Sequence, residues 1–145
     1  MPDIMHITHL AVATDVITSC LLDWSDDDRF FGLGTREKRL GQLFQSYRNW
    51  CESQRYDLAE RAQKRLFSSA MLKPDSGKYV EISQKTLNAT SARYMLFWLS
   101  SLAKQFAEWT GDDLDMNPTL VYTKCFLLVA PIAIRVFARS HPKVL

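Results

Sequence analysis

A chain of 145 residues with 47% hydrophobic and 12% aromatic content is long enough to bury an ordinary core as one domain and too apolar to belong to the disordered class. Its formal net charge of +2 is too small to imply a nucleic-acid or membrane partner by itself. Cys20, Cys51 and Cys125 lie far apart, each in an apolar helical pattern, which excludes an even disulfide framework and a metal-ligand spacing and points to a reducing, intracellular compartment.

The charge is unevenly spread. Residues 1–30 carry six acids and one base, 31–73 nine bases and four acids, 74–117 six acids and four bases, and 118–145 four bases. Alternation of sign by segment lets packed neighbours satisfy one another. The N-terminal stretch has no basic lead-in to its apolar residues, and Asp15 interrupts them, so a secretory or transit peptide is not expected.

The spacing of Ile7, Leu10, Ala11, Ile17, Leu21 and Trp24 predicts a first helix over 5–23. Asp3, His6 and His9 imitate part of a metal site, but no distant residue is nominated to complete it, and ordinary terminal histidines are the expectation. Residues 25–34 read as a connection: the Asp26–Asp28 triplet lacks the alternating ligands of a calcium loop and is expected to be solvated or to cap a helix. Gly32 and Gly34 lack the strand and longer glycine pattern of a phosphate cradle, and mark a turn.

Thr35 is a plausible N-cap with Glu37 in the following turn. Leu40, Leu43, Phe44, Tyr47, Trp50 and Cys51 then keep one stripe. A continuous helix over 35–72 would be about 57 Å long at 1.5 Å per residue, too long for a compact domain of this size. A break is therefore expected near 53–56, and Asp57 with Glu60 makes a capping box. The result is two predicted helices, 36–53 and 57–72. Residues 73–77 form a turn by composition, and 78–82 alternate weakly with no partner strand in sight.

The dominant element is the run 92–109, in which twelve of eighteen residues are apolar and none is Gly or Pro. It predicts a central buried helix over 86–110, with Ala92, Met95, Leu96, Trp98, Leu99, Leu102 and Phe106 on the inner arc and Arg93, Ser100, Ser101, Lys104, Gln105 and Glu108 on the outer one. Phe97 falls among the outer residues. After Gly111 and an acidic stretch, Asn117-Pro118 starts a last predicted helix over 118–139, apolar almost all round and kinked at Pro131. Its ten-residue apolar run between Lys124 and Arg135 is about half of what a bilayer span requires, so no membrane is inferred.

The fold class expected is all-α: a single helical domain, a bundle of about five helices. No hydrolase elbow, zinc-protease, Cys-x-x-Cys, Walker or kinase element occurs. No catalytic residue, cofactor, metal or small-molecule substrate is inferred, and the chain is read as non-enzymatic. The leading expectation is a protein-interaction module that self-associates or docks a protein partner through Phe97, Val121, Lys124, Leu128, Ile132 and Arg135. It rests on the aromatic placed on a wet face and on the last helix, which has no fully polar side. The alternative is a helical RNA- or DNA-binding protein contacting phosphates through Arg36, Lys38, Arg39, Arg61, Lys64 and Arg65.

Overall fold

A computed structural model of the chain describes residues 4–75, 82–83 and 85–110. Its long elements are α1 (Ile4–Asp26), α3 (Arg36–Ser53) and α5 (Ala89–Thr110), with one-turn helices α2 (Asp28–Phe31) and α4 (Ser69–Leu72) between them. The class is all-α, and no strand occurs among the described residues. The helix expected over 118–139, with Val121, Lys124, Leu128, Ile132 and Arg135, lies outside them.

The three long helices pack pairwise, α1 on both α3 and α5 and α3 on α5. Each contributes the stripe its spacing dictates: Ile17, Leu21 and Trp24 from α1, Leu40, Leu43, Tyr47 and Cys51 from α3, and Met95, Trp98, Leu99, Leu102 and Phe106 from α5, all buried. Phe44 is only partly buried but packs against this core. Trp24 meets Phe106 edge-on at 5.2 Å between ring centroids, and Tyr47 meets Trp98 at 5.4 Å. Such edge contacts suit the aromatic quadrupole.

Side chains close the helix ends, at Thr35 and in the acidic run as the sequence suggests, and also at Asn88. Thr35 Oγ1 accepts from the Lys38 amide at the start of α3, Asn88 Oδ1 from the Ser91 amide at the start of α5, and Asp27 from the Arg29 amide at the start of α2. The acidic loop is thus in part a helix cap. Gly32 and Gly34 adopt φ of 74° and 146°, and a Cβ on Gly34 would meet the Lys38 side chain at 2.9 Å. That turn needs glycine there.

The helix expected over 57–72 does not form. Asp57 does cap, accepting from the Ala59 amide at 3.1 Å, but only over a 3₁₀ turn, Leu58–Glu60. Glu60 does not close a capping box; it accepts from the Tyr94 hydroxyl at 2.9 Å. The chain then extends at Arg61, makes a second 3₁₀ turn at Lys64–Leu66, and enters α4 capped by Ser68. Tertiary partners outweigh local propensity here. Irregular backbone buries Ala62, Leu66, Phe67 and Leu72 together while leaving Leu58 exposed, which a continuous helix through these residues would not do.

Glu37 serves a second element: its carboxylate accepts from the Ser69 amide at 2.7 Å, at the beginning of α4. Those hydrogen bonds hold its carboxyl below the ordinary range. A lowered folded-state pKa contributes stability above the unfolded value, lost as pH falls through the folded one. Replacing Glu37 by Gln is expected to lower stability by less than about 1 kcal/mol, because the site is exposed. The difference from wild type should be full near neutral pH and vanish toward about pH 2. Melting temperatures of the two proteins across that range check this, and a pH-independent difference would contradict it.

Candidate functional site

The segment between α3 and α4 crosses the first half of α5, and an aromatic and arginine cluster forms at the crossing. Tyr56 stacks on Tyr94 with centroids 3.8 Å apart and planes 2° from parallel, and Trp50 abuts Tyr56 edge-on. Ser91 Oγ donates to the Glu60 carbonyl at 2.8 Å, and the Tyr94 hydroxyl to the Glu60 carboxylate. Beneath them the buried Tyr47 hydroxyl accepts from the Ala62 amide at 2.9 Å. Burial, and then the Glu60 carboxylate, push the Tyr94 phenol up; burial also raises Tyr56, against the pull of Arg93.

Two arginines in this cluster are incompletely satisfied. Arg61 grips the Tyr56 carbonyl with Nε and Nη2, at 3.1 and 2.7 Å, while its Nη1 is buried without a partner. Arg93 is only 8% exposed, and both Nε and Nη1 are buried with no acceptor. Its guanidinium lies 5.7 Å from the Tyr94 ring centroid and 5.9 Å from that of Phe97. Ring faces compensate the charge in part, but a buried donor left unpaired costs about 1–3 kcal/mol, and more when charged. The helical wheel placed Arg93 on the solvated arc of α5. The structure corrects this: Arg93 is buried, with its guanidinium beside the Tyr94 and Phe97 rings.

The outer face of α5 continues from Arg93 through half-buried Phe97, Ser100 and Ser101 to exposed Lys104 and Glu108. Phe97 is therefore less open than its place among polar residues suggests. The six basic residues expected to meet phosphates have varied surroundings. Arg36 pairs with Asp26 and Arg39 donates to the carbonyls of Ser25 and Gly34, so both tie the start of α3 to what precedes it. Arg61 holds the Tyr56 carbonyl, and Arg65 donates to Thr86 Oγ1 at 2.8 Å. Lys38 and Lys64 are exposed and form no ion pair among the described residues.

Burial pushes the Cys20 thiol up to about 12, with Asp23 adding to the effect, and also raises Cys51. Neither supplies a thiolate near neutral pH. No group of His, Cys, Asp and Glu that could hold a metal occurs among the described residues; the His6 and His9 side chains are not among them. No described helix is long and apolar enough to cross a membrane. Sequence reasoning missed Arg93, whose only local signal is a cation inside an otherwise apolar run. It also missed the Tyr56–Tyr94 stack, for which there is no local signal.

The fold thus defines an all-α class, with three long helices around one core among the described residues and an arginine and aromatic cluster on one flank. Comparison with protein-family models, curated proteins and solved structures finds no match for the chain.

Proposed function

We propose that this is a non-enzymatic helical interaction module that docks another protein surface through the outer face of α5. The observation that supports the reading best is Arg93: a residue more than nine-tenths buried, with no acceptor for its buried Nε and Nη1, beside a half-buried Phe97. In the isolated chain the unpaired donors are a standing cost, and a carboxylate on a docked surface would remove it. An aromatic next to a cation in need of a partner is the composition of an interface centre, where aromatic residues and arginine concentrate.

The nucleic-acid reading draws less support. Arg36, Arg39, Arg61 and Arg65 are engaged within the chain, and phosphate contacts would have to displace those bonds. Lys38 and Lys64 alone are a small electrostatic footprint.

A photoreactive benzophenone residue in place of Phe97 tests the reading in native extract. The expected result is a covalent adduct to protein, of discrete mass, reduced when Arg93 is also changed to Met. Adducts to nucleic acid, or only solvent-quenched product, would overturn it.

A further inference from the structure

We infer that the surface docked on α5 is a second copy of the same helix, antiparallel to the first across a two-fold axis passing between Ser100 and Ser101. This rests on the interaction reading above and names its partner. An isologous interface brings residue i of one copy against j of the other and j against i, so the face must be complementary to itself when reversed. The outer face of α5 has that property. Arg93 lies seven residues before Ser100 and Glu108 seven after Ser101, while Phe97 and Lys104 stand three residues out on either side. Reversal places Arg93 against Glu108 of the second copy, Phe97 against Lys104, and the two serines against each other.

Each of these pairings answers a feature of the single chain. Arg93 has a charge and two buried N–H groups with no acceptor, and Glu108 is exposed and takes part in no described ion pair. Turning outward toward a carboxylate, Arg93 gives up no hydrogen bond, because it makes none. Lys104, exposed about two helical turns from half-buried Phe97, would bring its ammonium over the partner's ring. Ser100 and Ser101 at the centre are small, which lets the axes approach toward the short end of the 8–10 Å range for packed helices. A parallel arrangement in register would instead set Arg93 on Arg93 and Glu108 on Glu108.

From Arg93 to Glu108 the face runs about 22 Å and is about 10 Å wide. That is roughly a quarter to a third of the ~800 Å² per partner of a standard stable interface. A weak, concentration-dependent dimer is the expected form.

Sedimentation equilibrium on the full chain, from about 10 µM to 1 mM, provides the test. Wild type should show monomer and dimer in exchange. Glu108→Arg, at an exposed position, and Arg93→Glu should each weaken association by about tenfold or more, since each removes two symmetric ion pairs and creates two repulsions. The two variants mixed should recover it, because in the mixed dimer every carboxylate again faces a guanidinium. If Arg93→Glu fails to fold by circular dichroism, Glu108→Arg alone carries the test. A wild type monomeric throughout, a Glu108→Arg variant that associates as wild type does, or folded variants that fail to recover association on mixing would each overturn the dimer. A discrete adduct from position 97 to a different protein, with a monomeric wild type, would overturn the dimer while leaving the broader interaction reading standing.

Discussion

Truncating Trp98 to Ala is expected to lower stability by about 3–5 kcal/mol, the largest effect of any single substitution considered for this chain. The indole is 1% exposed and sits where α5 meets both α3 and the irregular segment. Its ring lies 5.4 Å from Tyr47 and 6.0 Å from Phe67, and its Nε1 donates to Ser46 Oγ. Removing it opens a cavity lined by groups that themselves hold the segment 56–67 in place, so little collapse can fill the space. Against a total stability of about 5–15 kcal/mol for an ordinary domain, the variant should be close to unfolding at room temperature. Trp98→Phe, which keeps a ring beside both neighbours, should lose distinctly less. Denaturant melts of the three proteins measure this, and an unmoved midpoint for Trp98→Ala would mean that the indole is not part of the core.

The second large effect is expected from one oxygen atom. The Tyr47 hydroxyl accepts the Ala62 amide, in a setting whose burial pushes the phenol well above its ordinary range. Tyr47→Phe preserves the ring contacts but leaves the Ala62 N–H buried without an acceptor, at a cost of about 1–3 kcal/mol. The loss should be local as well as global. Amide exchange at Ala62 should accelerate more than exchange in the middle of α3, because the phenol is what ties the extended stretch between the two 3₁₀ turns to the helix beneath it. Equal acceleration at both places would mean that the hydroxyl does not anchor this segment.

Both side chains sit on regular helices but hold the irregular segment against them, and that segment is where reading the sequence falls short. The stripes of α1, α3 and α5 are visible in the order of residues because helical periodicity is local: which positions face inward follows from 3.6 residues per turn. The Thr35 cap is similarly legible, since it acts on an amide three residues away. The end of α3 at Ser53 agrees with the break inferred from the length of an unbroken rod.

Residues 57–66 obey a different constraint. Asp57 and Glu60 have the spacing of a capping box, and by local rules a helix should follow. Yet the Glu60 carboxylate is taken by Tyr94 and the Ala62 amide by Tyr47, residues far away in the chain. The same holds for Arg93, placed among solvated residues by the angle of its helical position but buried beside the Tyr94 and Phe97 rings. The sequence by itself determined the helical class, the three long helices and the stripe each buries, because those depend on neighbours within two turns. Only the tertiary structure decided the path between α3 and α4, and which guanidiniums are satisfied and which is left without an acceptor. Those outcomes depend on hydrogen-bond partners 15 to 34 residues away, whose arrival no local pattern encodes.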